Sequence, residues 1–357
     1  MYNQQNRELI DNFPVDGAGV ANGNFLGLPF DVDTSRLVLM MVPWDVTVSY
    51  GAGTHLGPSA ILEASLQGEV YDEHFTDMWK EGFVVLPQLE YALEHNECTR
   101  ELACRVIDHE ESGRTLLSSE EAEALTHSVN RVCEGLNKAV YDQAVQMIER
   151  GKIVGLVGGE HSVPLGLIRA LADRGDHFGI LHIDAHADLR EAYEGFDNSH
   201  ASIMRNVMRD QRIGSLTQVA IRDYCYSEVD FAQSDPRISQ FTSSGLRDSL
   251  YDGATWGDIC REIIDTLPQR VYISFDIDGL TPDYCPSTGT PVPGGLTFEE
   301  AIYLIRGVVD SGRQIIGFDL CEVSPSDRQG DQWDANVGAR VLYKLCGATL
   351  ASSMKSL

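Results

Sequence analysis

The chain is short of positive charge: 27 lysines and arginines face 54 aspartates and glutamates, a formal net charge of −27. So acidic a surface repels a phosphate backbone and attracts cations, which argues against nucleic acid and for small cationic ligands. No apolar run approaches the roughly 18 residues that a membrane-spanning helix needs, and the polar first dozen residues carry no signal-peptide core. The expectation is therefore a cytoplasmic protein with no membrane partner. Cysteine pairs are missing too. Cys98, Cys104, Cys133, Cys225, Cys260, Cys285, Cys321 and Cys346 lie at irregular spacings with no Cys-x-x-Cys, a pattern that fits unpaired thiols in a reducing compartment. Internal repeats, low-complexity tracts and Pro/Ser-rich linkers are absent as well, so nothing in the sequence divides the chain.

What is present is a chain of 357 residues, 43% hydrophobic and 23% charged, long enough to bury a substantial core. Short apolar runs alternate with longer amphipathic stretches, the pattern of repeated βα units around a parallel sheet. Near-continuous Val/Ile/Leu/Phe content predicts strands over 37–42, 153–157, 178–183, 218–221, 271–275 and 314–319, each covered on both faces. Pro58 suits the first turn of a helix that runs through Leu62. Ser118 with Glu121 three residues on reads as a capping box, opening a helix that continues to about Arg150. Further helices are predicted over 164–173, 255–266, 298–311 and 334–350. Residues 91–123 are rich in charge and poor in β signal, and read as a helical insertion or surface excursion. The fold class expected is α/β: a single three-layer α/β/α domain with a mainly parallel sheet over 37–357, preceded by an N-terminal arm, 1–36.

Three of the predicted strands run directly into groups that bind metals. Strand 153–157 leads into Gly158-Gly159-Glu160-His161-Ser162, strand 178–183 into Asp184-Ala185-His186-Ala187-Asp188, and strand 271–275 into Asp276-Ile277-Asp278. In an open parallel sheet, ligands bind beyond the carboxyl ends of the strands. Each signal alone has a plain structural reading, as a glycine turn or a loop cap. The Asp-x-His-x-Asp run is stronger, because a spacing of two in an extended segment projects alternate side chains the same way. Four carboxylates and two imidazoles packed together repel or desolvate badly unless cations hold them. Oxygen and imidazole donors without thiolate favour Mn²⁺, Ni²⁺, Fe²⁺ or Zn²⁺. Their number suits two ions about 3.5–4 Å apart with an activated water between them.

These motifs resemble those of the ureohydrolase (arginase/agmatinase) family in order and spacing. The likeness continues through Cys285-Pro286-Ser287-Thr288-Gly289-Thr290-Pro291, through Gly317-Phe318-Asp319-Leu320-Cys321-Glu322, and at the N-terminal side through Gly51-Ala52-Gly53-Thr54 and Gly57-Pro58. It spans roughly Leu37 to the C-terminus. It implies an arginase-like fold and two divalent ions per chain, Mn²⁺ or Ni²⁺. One would be held by His161, Asp184, Asp188 and Asp276, the other by His186, Asp184, Asp276 and Asp278. It further implies that Glu322 grips the guanidinium of a substrate and that His200 shuttles a proton. A hydroxide bridging the metals would attack the guanidinium carbon, with His200 or Asp188 passing a proton to the leaving amine and urea as co-product. A carboxylate suits the Glu322 role because a planar guanidinium pairs with it in bidentate fashion. His182 reads as a satisfied buried histidine. His55, His74, His95, His109, His127 and His177 have no matching partners and read as surface or structural.

Residues 189–197 resemble the agmatinase branch, not the arginases that hold an amino-acid head group. Departures from the common pattern at Glu160, Thr281 and Ser287 weaken transfer of any one member's substrate. The N-terminal arm through Phe30 and Gln332-Trp333-Asp334 resemble a sub-branch that includes guanidine hydrolases. Trp333 could then close a small pocket over a guanidinium by a cation–π contact, or serve as a core or interface residue. The substrate class expected is a small cationic guanidino compound: an agmatine-like alkylguanidine, free guanidine, or a substituted guanidine or biguanide. A non-catalytic subunit of such an assembly, or a deacylase on the same fold, is the alternative. The resemblance also implies a homotrimer or homohexamer, and closed symmetry is the usual form of such assemblies.

Overall fold

The computed structural model of the protein describes residues 4–175 and 177–355. Its centre is one sheet of eight strands: β1 (Leu37–Val42), β2 (Phe83–Val85), β3 (Ile153–Gly158), β4 (Phe178–Ile183), β5 (Ile213–Ile221), β6 (Ile238–Thr242), β7 (Arg270–Asp276) and β8 (Gln314–Cys321). They lie in the order β2-β1-β3-β8-β7-β4-β5-β6, and every neighbouring pair is parallel. The helices are α1 (Gln4–Asn12), α2 (Gly57–Ser65), α3 (Glu90–Glu111), α4 (Ser119–Glu149), α5 (Leu165–Ala172), α6 (Ile203–Met208), α7 (Tyr226–Ser234), α8 (Ser243–Tyr251), α9 (Trp256–Asp265), α10 (Phe298–Asp310) and α11 (Trp333–Lys355).

The two-residue period of a strand builds the three layers. Leu37, Leu39 and Met41 of β1 point to a core completed by Ile61, Leu304 and Leu345 from α2, α10 and α11. Val38, Met40 and Val42 point to the opposite core, with Ala103, Val140 and Ile168 from α3, α4 and α5. Helices therefore cover both faces, as an all-parallel sheet requires. Among the described residues no helix is long and apolar enough to cross a membrane. All eight cysteines are unpaired thiols.

The central strands lie where the apolar runs predicted them. The departures are at the sheet edges. β2 has only three residues, and β6 is half-buried along its whole length, so neither carries a buried apolar run to read. β5 begins five residues before the predicted 218, because Gly214 and Ser215 interrupt the apolar pattern while pairing with β4 continues. The stretch 91–123 is largely helical, as read, but it is not a surface excursion. Most of it is α3, whose Ala92, Ala103, Val106 and Ile107 are buried against the α4 layer; a helix needs only one apolar stripe, and charge on its other faces hid it. Ser118 caps α4, its side chain accepting from the Glu121 N–H, but the expected capping box is only half made, because the Glu121 carboxylate pairs with Arg105 at 2.6 Å. The N-terminal arm packs on edge strand β2: Asn24 Oδ1 accepts from Val85 N–H at 2.8 Å, and Phe25 and Leu28 are buried. The arm thus covers an edge that would otherwise offer free backbone donors.

Candidate active site

Four adjacent strands, β3, β8, β7 and β4, deliver the chemistry to one end of the sheet. His161 follows β3, Asp184, His186 and Asp188 follow β4, Asp276 ends β7 with Asp278 just beyond, and Glu322 follows β8. Because every strand is parallel, segments far apart in sequence share one carboxyl edge. Gly159 makes the close turn before His161 possible: a Cβ there would stand 2.1 Å from the Trp44 carbonyl oxygen.

The aspartates are oriented one oxygen at a time. Asp276 Oδ1 accepts from Asp278 N–H at 2.8 Å, and Asp278 Oδ1 accepts from Ala185 N–H at 3.0 Å. Their other oxygens turn inward. His161 Nδ1 lies 3.0 Å from Asp184 Oδ2, 3.4 Å from Asp188 Oδ2 and 3.3 Å from Asp276 Oδ2. His186 Nδ1 lies 3.1 Å from Asp278 Oδ2 and 3.5 Å from Asp184 Oδ1. Among the described residues no lysine or arginine side chain pairs with these four acids.

The donor set fits divalent cations. His161 Nε2 is engaged by Ser274 Oγ at 2.8 Å and faces Asp319 Oδ1 at 3.4 Å, an arrangement that places the ring proton on Nε2. Nδ1 then turns a lone pair toward three carboxylates; protonated, its single N–H would have to serve all three. A cation between them resolves both conflicts. The acid–base properties tell the same story. Burial, then the charge of Asp184, pushes Asp188 up to about 6. Burial, then Asp278 and Asp184, pushes Asp276 well above the carboxylate range. Burial lowers the basicity of His186, yet Asp278 and Asp184 carry it up to about 12. Asp184 goes the other way: against burial, His182, His161 and His186 hold it well below the carboxylate range, so the three imidazoles satisfy one acid and leave Asp188 and Asp276 raised.

His182 is buried with both ring nitrogens partnered, as its place within β4 suggested. Its Nε2 lies 2.8 Å from Asp184 Oδ2, and its Nδ1 accepts from Gln218 Nε2 at 2.9 Å. The Gln218 amide is fixed in turn: its Nε2 also donates to Ala187 O, and its Oε1 accepts from Gln240. This chain puts the His182 proton on Nε2, where it donates to Asp184.

Two site residues hold left-handed backbone, Asp188 at φ 55° and Glu322 at φ 63°. Non-glycine residues pay for that geometry, and it clusters at functional positions. Glu322 is buried, its Oε1 accepting from His161 N–H at 2.8 Å. Burial, then the charge of Glu160, pushes its carboxyl well above the usual range. It stands behind Gly289, where a Cβ would lie 3.4 Å from Oε2.

A cavity of about 150 Å³ opens beside the cluster, with His186, Asp188 and His200 on its wall. Burial, then the like charge of His186, pushes His200 down to about 3; its ring meets Tyr193 edge-on at 6.1 Å. Thr290, from the 285–291 motif, lines the cavity, as do Ser49, Arg190, Tyr193, Asp223, Tyr224 and Glu228, none of which was named as a site residue from the sequence. Arg190 lies over the Tyr193 ring at 4.7 Å and 3.9 Å from Glu228. The signal for both Arg190 and Tyr193 was the stretch 189–197 after Asp188, whose resemblance to the agmatinase branch bears on substrate choice. Trp333 does not reach this cavity. It is 48% exposed at the start of α11, with its indole N–H on the Asp283 carbonyl at 2.8 Å, so the geometry gives no support to a cation–π lid. A larger hollow of about 420 Å³ lies elsewhere, at Arg169, Arg209 and Arg212, but each of those guanidiniums is already paired with an acid. His55 does have a partner: its Nδ1 lies 2.6 Å from Asp45 Oδ2.

A family model for the arginase family matches residues 35–347. The chain is 31% identical over 328 residues to an N(1)-aminopropylagmatine ureohydrolase of Synechocystis sp., covering 90% of this chain and 92% of that protein. It is 28% identical to an agmatinase of Bacillus anthracis, covering 84% and 87% of the two chains. Among solved structures, an agmatine ureohydrolase of Thermoplasma volcanium superposes with a TM-score of 0.69 at 23% identity, over 98% of this chain and all 100% of the other. Proclavaminate amidino hydrolase from Streptomyces clavuligerus gives a TM-score of 0.73 at 22% identity, over 94% and 99%.

Proposed function

Because the chain belongs to the arginase family, we propose that this metal-dependent, agmatinase-like hydrolase of C–N bonds cleaves a small guanidino compound to urea, or a urea derivative, and an amine or ammonia. The observation that carries the proposal is the inward turn of four aspartates onto two imidazoles at adjacent strand ends. His161, Asp184, Asp188 and Asp276 would hold one divalent ion, and His186, Asp184, Asp276 and Asp278 the other, Mn²⁺ or Ni²⁺. Ions in such a set supply Lewis-acid activation of water near neutral pH.

The chain's own groups do the rest. Glu322 is a buried acid, its proton affinity raised by burial and then by the charge of Glu160, and a substrate guanidinium would pair with its carboxylate in a planar, bidentate match. His200 sits on the cavity wall as a neutral imidazole; it takes a proton from the attacking water and hands it to the departing nitrogen, so that the amine leaves neutral. In the net reaction water gives its oxygen to the guanidinium carbon and its protons to the nitrogens. The cavity of about 150 Å³ restricts the substrate to a compact one, and Asp223 on its wall favours a cation. Agmatine-like alkylguanidines, free guanidine and substituted guanidines or biguanides meet those terms. The arm 1–36 and the catalytic domain 37–357 act as one unit, and the chain assembles as a homotrimer or homohexamer.

The test is urea release across a panel of guanidino compounds, with protein loaded separately with Mn²⁺ and Ni²⁺. Urea from one or more small guanidines supports the reading. Metal-loaded protein that releases urea from none of them overturns it.

A further inference from the structure

The loop after β1 is fastened from two sides. On one side Arg100 of α3 donates through Nη1 to the carbonyls of Val46, at 3.0 Å, and Val48. On the other, Glu160 takes hold of Thr47. Its Oε2 accepts from Thr47 N–H at 2.7 Å and its Oε1 from the Thr47 hydroxyl at 2.8 Å. Ser162 Oγ donates to the same Oε1 at 2.6 Å. Glu160 and Thr47 are both fully buried, so these bonds form away from water, where an unmade one is costly. The Thr47 hydroxyl has a further role: it accepts from the backbone N–H of His200 at 3.2 Å, across 153 residues of sequence.

We propose that Thr47 and Glu160 are positioning residues for His200, the Thr47 hydroxyl relaying the fixed Glu160 carboxylate to the backbone that aims the His200 ring into the cavity. His200 opens a short helical turn whose entry is set by Ser199, with its Oγ accepting from Ala201 N–H. Thr47 is the contact that ties that turn to the strand end carrying His161. The same clamp seats Ser49, two residues on, at the cavity wall. The proposal rests on the reading that His200 carries a proton in the reaction.

The experiment is a double-mutant cycle on the metal-loaded enzyme, with metal content and Tm measured for every variant. Thr47→Val keeps the shape and removes the hydroxyl. It should lower kcat by about ten- to a hundredfold, the scale of losing aim at a reacting group, with KM and metal content close to wild type. Thr47→Ser restores the hydroxyl and should restore kcat. In a His200→Asn background, Thr47→Val should cost little more, because both changes remove one function. Should Thr47→Val fail to fold, Glu160→Gln takes its place, since it turns an amide N–H₂ toward Thr47 N–H while keeping volume. Additive losses, or a Thr47→Val enzyme with normal kcat beside an impaired His200→Asn, overturn the positioning role and leave the reading of His200 intact. A His200→Asn enzyme with unchanged kcat overturns both.

Discussion

Replacing Glu322 with glutamine separates guanidinium hydrolysis from other chemistry on the same metals. The amide keeps the size of the carboxylate, and its oxygen still accepts from His161 N–H, the 2.8 Å bond that ties β8 to the β3 turn. The left-handed backbone at φ 63° suits glutamine no worse than glutamate. None of the six proposed metal ligands is touched. What disappears is the negative charge. Losing a charge-assisted pair at the reacting group costs about 2–4 kcal/mol, or roughly 30- to 1000-fold in kcat/KM. Stability should hold or rise, because Glu322 is buried beside the charge of Glu160 and the substitution relieves that repulsion. Alanine is a poor substitute, since it would orphan the His161 N–H and confuse catalysis with folding. The assay is urea release by Glu322→Gln alongside metal content and Tm. A variant that keeps its metals and stays within about threefold of wild-type kcat/KM, far short of the loss of a charge-assisted pair, would make this acid structural and remove the guanidinium assignment.

Asp276→Asn should lose both ions by elemental analysis, since Asp276 is placed in both sets; full metal retention with unchanged activity refutes the two-ion arrangement. The His55–Asp45 pair predicts a pH-dependent stability, Asp45 also accepting from Gly53 N–H and Asn96 Nδ2. Bonding to Asp45 raises His55 above 6.5, so its contribution is full below 6.5 and fades as pH rises through the folded value. Asp45 is lowered below 3.8 by its bonds to His55 and Asn96 against burial, so its contribution is full above 3.8 and fades in acid. The Tm gap between wild type and His55→Gln should therefore narrow from pH 6 to pH 9, and a constant gap would show the pair is not titrating. Trp333→Ala should leave kcat/KM within about twofold, as expected of a surface change; a large fall would bring the indole back to the substrate. Light scattering of dilute protein should give three or six times the 39.4 kDa chain mass, and a monomer would refute the assembly.

The sequence by itself determined the central strands, the three-layer arrangement and the strand-end clusters at His161, Asp184–Asp188 and Asp276–Asp278. The physical reason is local. A doubly covered parallel strand must be apolar throughout, and polar residues directly after it have only the carboxyl edge to occupy. It could not show β2 and β6, whose edge positions leave them short or half-buried. Nor could it show that α3 belongs to the core layer and lends Arg100 to the loop over the site. The strand order was a tertiary decision too, because it depends on which covered faces pack together, and it alone makes β3, β8, β7 and β4 neighbours. The cavity wall shows the limit most plainly. Arg190, Tyr193, Asp223 and Glu228 carry no spacing that marks them, and they meet only because loops after β4 and β5 fold toward each other. Motif residues are legible when one segment must supply several groups to one point. Residues that each arrive singly, as Thr47 does at His200, are fixed only by contacts made across the folded chain.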